Sequence, residues 1–210
     1  MDEQSEAEPK TNKRTEAALQ RRQAIVEAAL KEFLEKGYAG TRIEDVTRRA
    51  GVAKGTMYLH FADKQALFEG MVKEVLAPFR ERMDAIKSRP DFSLRMLMGD
   101  DSVRGLDSVH RSRFGDVMRL VIAEGFRFPG VAEFYFREFM SPMLEQQQAD
   151  LRQASKAGDL AVPELVDFPY LLSAPMMLAV IWQGLFSRYH PIDIEGMLRV
   201  FKDMILINES

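Results

Sequence analysis

The run Gly51-Val52-Ala53-Lys54-Gly55-Thr56-Met57-Tyr58-Leu59-His60-Phe61 constrains this chain more than any other stretch. Ala50-Gly51-Val52 ends one helix and turns the backbone into another, because glycine reaches the left-handed conformation that a helix C-terminus needs. The helix that follows, from Ala53 or Lys54 to about His60, is too short to be stable from intrinsic propensity. It must be docked, and Val52, Met57 and Phe61 are the apolar residues that dock it. Lys54, Thr56, Tyr58 and His60 are then left facing outward, all of them donors to phosphate or to base edges. A turn of this kind occurs in any helical hairpin; what points to a helix-turn-helix entering the major groove of DNA is the content of the second helix.

The flanking sequence supplies the support such a unit needs. A helix from about Glu16 carries Ile25, Ala28, Ala29 and Phe33 on one face at the 3.6-residue period and stops at Gly37, with Tyr38 as its closing apolar contact. Thr41-Arg42-Ile43-Glu44 has the pattern of a capping box, which predicts Thr41 as the cap of the next helix and Glu44 reaching back to it. Ile43, Val46 and Ala50 form its buried face. Asp63 is placed to cap a fourth helix, which runs past Pro78 with a kink. Beyond it the pattern stays helical. Helices are expected over 113–126 and from Pro129 to about 156, and a long apolar one from Pro163 to about 189 interrupted at Pro169 and Pro175. A last helix follows over about 192–207. The fold class is all-α, about nine helices, with a flexible tail over 1–15, a helix-turn-helix domain over 16–66 and a second helical domain over 67–210.

Charge is distributed unevenly, in a way that suits a nucleic-acid reader but that many enzymes share. The net charge is −3, but residues 10–64 carry twelve bases against seven acids, while residues 65–210 carry a net −4. No cysteine is present, which excludes disulfides and thiolate metal sites and fits a cytoplasmic protein. No apolar run approaches a membrane span. Neither a glycine-rich phosphate loop nor a His cluster nor a nucleophile elbow occurs, and His110 with Glu124 is a poor basis for acid–base catalysis. An enzyme is not expected, and no cofactor or metal.

Arg22, Ile25, Ala28-Ala29, Phe33, Gly37-Tyr38, Thr41, Ile43, Val46, Ala50-Gly51-Val52, Lys54-Gly55-Thr56, Tyr58, His60-Phe61, Lys64 and Leu67 together resemble the TetR family of bacterial transcriptional regulators, without a gap over about residues 20–68. The resemblance implies that Thr41, Tyr58, His60 and Lys64 hold phosphates. Lys54, Gly55 and Thr56 would lie at the base edges, and Arg42 on phosphate or base. Ala53 departs from the Ser that usually caps the recognition helix, Thr47 from a usual Ala, and Leu59 from a frequent aromatic or polar residue.

Twelve of the 14 Phe and 11 of the 13 Met lie beyond residue 66. Methionine fills irregular apolar space, so such a body either encloses an adaptable pocket or simply packs its core. The resemblance implies a pocket for a small-molecule effector of unknown identity, with His110, Met118, Glu124, Tyr135, Phe139, Tyr170, Met177 and Trp182 as candidate contacts. The last two helices are apolar on more than one face, which fits a homodimer through Met176, Val180, Leu185, Met197, Phe201 and Met204. A dimer would set two reading helices on a near-palindromic operator in double-stranded DNA. The expected function is a regulator, most often a repressor, released by an apolar or amphipathic ligand. The alternative is a DNA-binding dimer with no small-molecule effector, gated by a protein partner or by its concentration.

Overall fold

The computed structural model describes residues 8–99 and 112–207, and these form two compact units that divide between Glu74 and Val75. The first unit holds α1 (Glu8–Gly40), α2 (Ile43–Ala50), α3 (Lys54–His60) and the start of α4 (Lys64–Lys87). The second continues through α5 (Leu94–Leu97), α6 (Arg113–Gly125), α7 (Pro129–Tyr135), a π-helical turn (Phe136–Met140) and α8 (Ser141–Ala157). Two 3₁₀ turns, Pro163–Asp167 and Pro169–Ser173, precede α9 (Ala174–Leu185) and α10 (Ile194–Ile205). Among the described residues there is no strand, only an isolated bridge between Leu160 and Leu206.

Helix boundaries follow local chemistry. Gly37 takes φ 72° inside α1, and this break lets Tyr38 fold back to stack on Phe33, with ring centroids 5.8 Å apart; Phe68 meets both edge-on. Gly51 ends α2 at φ 68°. Asp63 caps α4 by accepting from the Ala66 amide at 2.7 Å. In α4, Pro78 removes the amide that would bond the carbonyl of Glu74, where the two units divide.

Three expectations need correction. The first helix begins at Glu8 rather than near Glu16, so residues 8–15 are helical. The capping box does not form. Arg42 is the N-cap of α2 without a side-chain cap, Thr41 Oγ1 turns back to donate to the carbonyls of Gly37 and Glu32 at 2.8 and 3.0 Å, and Glu44 pairs with Lys54 instead. Residues 163–173 do not join the helix that follows, because Pro163, Pro169 and Pro175 each remove an amide and break the ladder into 3₁₀ turns.

Candidate nucleic-acid interface and effector cavity

The reading head is built around a docked α3. Met57 is 0% exposed and Phe61 is buried, while Val46, Leu67 and Met71 close the same core. Phe61 serves as the C-cap of α3: its amide donates to the carbonyl of Met57 at 2.9 Å. Its ring lies between the Arg22 guanidinium, 4.4 Å from its centroid, and Gly70 of α4. As the sequence implied, Ala53 offers the helix start no side-chain cap.

Ion pairs lock α2 onto α1. Arg49 meets the buried carboxylate of Glu32 at 2.7 Å and the exposed one of Glu35 at 2.5 Å; Lys36 reaches Glu32 at 2.6 Å and Asp45 at 2.8 Å. Hydrogen bonding to Arg49 holds the Glu35 carboxyl below its ordinary range, and hydrogen bonding to Lys36 does the same for Asp45. Several cations of this basic unit are thus engaged within the protein. Lys54 is paired as well, to Glu44 at 2.6 Å, which raises the lysine and lowers the glutamate.

The candidate DNA contacts separate into two groups. Arg42, Lys54, Gly55 and Tyr58 are exposed, and Thr56 and His60 are half-buried beside them on α3. Thr41 and Lys64 belong elsewhere. Thr41 is 2% exposed and its hydroxyl is committed to two carbonyls, so it offers no side chain to a phosphate. Lys64 Nζ donates to the carbonyls of Tyr38 (2.9 Å), Ala39 (3.3 Å) and Thr41 (3.4 Å), which engages all three of its N–H groups at the end of α1. Leu59, noted in the sequence as a departure from the family pattern, is 86% exposed, against 46% for its neighbour Tyr58.

The second unit holds a partly open cavity of about 610 Å³. Its aromatic wall is a chain of rings: Phe79 to Phe114 (4.5 Å), Phe114 to Phe139 (5.5 Å) and Phe139 to Tyr135 (5.3 Å). Methionines 83, 98, 118, 140, 143, 176 and 177 add to the lining, and Arg80, Arg82, Asp84, Lys87, Gln146 and Gln147 are its main polar members. The π-helical turn inserts one residue per turn between α7 and α8, the kind of irregularity often retained at functional sites. Two lining residues hold a buried polar atom with no hydrogen-bond partner, Tyr135 at its hydroxyl and Gln147 at Oε1, although Gln147 Nε2 donates to Ser173 at 2.8 Å. Burial raises the Tyr135 phenol and keeps it protonated as a donor.

Met118, Tyr135, Phe139 and Met177 therefore line the cavity as expected from the sequence. Glu124, Tyr170 and Trp182 do not: Tyr170 is exposed, and the Trp182 indole donates to the carbonyl of His190 at 2.6 Å. His110 lies outside the described residues. Gln146 and Gln147 on α8 and Phe79, Met83 and Ile86 on α4 were missed, because helical spacing alone does not separate a cavity wall from a packed core; the cluster Met140-Ser-Pro-Met143 and the run Gln146-Gln147-Gln148 were the available signals. Of the expected dimer residues, Leu185 and Met204 are exposed. Val180 is 0% exposed and belongs to the protomer core, Met176 and Phe201 line the cavity, and Met197 packs on Ala179, Ile194 and Leu198.

Residues 25–71 match the family model of bacterial regulatory proteins of the tetR family, and residues 102–167 match the C-terminal domain of AefR-like transcriptional repressors. The chain belongs to the TetR family. This TetR protein is similar to the HTH-type transcriptional repressor DhaR of Mycobacterium sp. (strain GP1), with 27% identity over 179 residues, 80% of this chain and 81% of that one. Its fold is similar to that of NalD, the secondary repressor of the MexAB-OprM multidrug efflux pump in Pseudomonas aeruginosa, with a TM-score of 0.72 at 22% identity over 92% of this chain and 100% of the other. The fatty acid degradation regulator FadR from Bacillus halodurans gives a TM-score of 0.65 at 16% identity, over 88% and 93% of the two chains. Membership makes the TetR chain a DNA-binding transcriptional regulator and not an enzyme. Among the described residues, no helix is long and apolar enough to cross a membrane.

Proposed function

We propose that this regulator is a cytoplasmic repressor that binds a near-palindromic operator as a homodimer and is released by a small, predominantly apolar ligand. The observation that carries the reading is the cavity of about 610 Å³ in the second unit, walled by aromatic rings and methionine. Its size is in the range of sites for drug-sized molecules, and its few polar groups would orient a ligand. Helix α4 supports the coupling. It contributes Leu67, Gly70 and Met71 to the reading head and Phe79, Met83 and Ile86 to the cavity wall, so a ligand that prefers one position of its second half would bias the head. On the head, Arg42, Lys54, Tyr58 and His60 supply phosphate and base-edge contacts around α3.

Dimerisation would use the outer faces of α9 and α10. Leu178, Leu185, Phe186, Val200 and Met204 are all exposed there, Met204 at 64%, and a lone protomer would leave that apolar surface in water. A C₂ pair would cover both copies at once.

The test is competition. Operator fragments selected in vitro with the full chain are bound to it, and a panel of neutral and anionic apolar compounds is screened for thermal stabilisation and for release of the DNA. A compound that does both in the parent chain and neither in Met118→Trp, which fills the cavity, is the expected result. Compounds that stabilise the protein and never weaken DNA binding would overturn the effector reading. They would favour a regulator gated by a protein partner or by concentration.

A further inference from the structure

The middle of the outward face of α3 is a bare, apolar strip. Leu59 is 86% exposed, and Gly55 stands one helical turn before it, where an added Cβ would meet nothing within 4 Å. Spacing of four places both on one face, and each is two residues from Met57, which faces the core. Lys54 and Tyr58 flank this strip on one side, Thr56 and His60 on the other. A single exposed leucine on an ordinary surface carries no message. Here the leucine is at the centre of the surface that a DNA-binding chain of this family turns to the groove, ringed by polar side chains.

A leucine at that point cannot serve every base equally. Guanine and adenine present hydrogen-bonding groups toward the major groove, and cytosine an amino donor beside a bare C5–H, so an aliphatic group laid on them dehydrates donors or acceptors without replacing their bonds and without a methyl to pack on. Thymine alone adds a C5-methyl, which gains from apolar contact. Close approach matters too, because a methyl contact is made only within about 4 Å. The missing Cβ at Gly55 lets the helix backbone approach the groove floor and brings Leu59 with it.

We propose that Leu59, with Gly55 admitting the helix backbone, reads the C5-methyl of a thymine in each operator half-site and so sets base preference by shape rather than by hydrogen bonding. The inference rests on the DNA-binding role of the chain and is independent of any effector. The experiment selects operator sequences in vitro with the full-length protein, then replaces each thymine of the site in turn by deoxyuridine, which keeps the base pair and removes only the methyl. One thymine per half-site should stand out, with affinity falling about fourfold per methyl lost, the equivalent of burying one methyl-sized group. In Leu59→Ala that sensitivity should vanish while other thymines keep theirs; because Leu59 is exposed and alanine favours helix, the variant keeps its fold. Deoxyuridine without effect at every position, or an effect undiminished in Leu59→Ala, would overturn the proposal. Failure to select any sequence would instead overturn specific DNA recognition itself, and the proposal with it.

Discussion

Replacing Gly70 by alanine separates two effects of opposite sign. Gly70 is inside α4, where alanine is favoured over glycine by about 1 kcal/mol. On propensity alone the substitution stabilises. The packing says otherwise: a Cβ at Gly70 would lie 2.4 Å from Phe61 Cε1 and 3.1 Å from Cδ1, well inside normal carbon contact. The ring cannot simply retreat, because the Arg22 guanidinium covers it at 4.4 Å and its own backbone caps α3. Overpacking of this kind costs about 1–3 kcal/mol, so the net is a loss of about 1 kcal/mol. The displaced residue also fixes the end of the reading helix, so DNA affinity should fall more than stability does. Urea unfolding followed by circular dichroism, run as a double-mutant cycle with Phe61→Leu, reads the balance directly. In the Phe61→Leu background the clash is relieved and Gly70→Ala should become stabilising by up to about 1 kcal/mol. If Gly70→Ala stabilises the parent chain, or keeps the same sign in both backgrounds, the close approach of Gly70 to Phe61 does not hold α3 in place.

Gly55→Ala should do the reverse of Gly70→Ala, raising stability by about 0.5–1 kcal/mol because the new methyl meets only open space, while weakening operator binding in a fluorescence-anisotropy titration. Lys64→Met should loosen the head, seen as faster amide exchange at the end of α1, and lower DNA affinity with the salt dependence unchanged; a slope of log K against log salt that falls by about one would instead make Lys64 a phosphate ligand. The carboxyls of Glu35, Glu44 and Asp45 are held low by Arg49, Lys54 and Lys36, so what they contribute to stability is fully present above the ordinary carboxyl range. It is lost only as pH falls through their depressed folded values. Head stability should be level from pH 8 to about 5 and decline below about pH 4, and a decline already under way between pH 7 and 6 would contradict the clamp.

The head was legible because its determinants are local. Gly51 must take a positive φ, Asp63 caps through its own next turn, and Met57 and Phe61, four residues apart, fall on the one face that can anchor a seven-residue helix. The departures of Thr41 and Lys64 from what chain order suggests share one physical cause. Both sit where chain order suggests a cap or a phosphate contact, and both are instead used by the end of α1, whose carbonyls left over after Gly37 need donors. For Lys64 that demand arises only when residues 38–41 and 64 come together, which no spacing rule encodes; Thr41 meets it locally, four residues after Gly37.

The second unit was legible in class but not in detail, for a reason its own chemistry makes plain. A helix stripe facing a cavity and a stripe facing a packed core have the same period, so Phe114, Phe139 and Met118 read alike in either role. What distinguishes a cavity is polarity left unmatched inside it. An unpaired buried hydroxyl or amide costs about 1–3 kcal/mol, and Tyr135 and Gln147 both carry one on the same cavity wall. Filling that space with apolar side chains would relieve neither atom, whereas a ligand with a hydrogen-bonding group could relieve either once the side chain rotates to bare it. Tyr135→Phe is therefore expected to leave stability level or raise it, while reducing, in isothermal titration, the affinity of any effector compound that the thermal screen selects. A variant that is strongly destabilised and binds the effector as before would make the hydroxyl part of the core and not of the site.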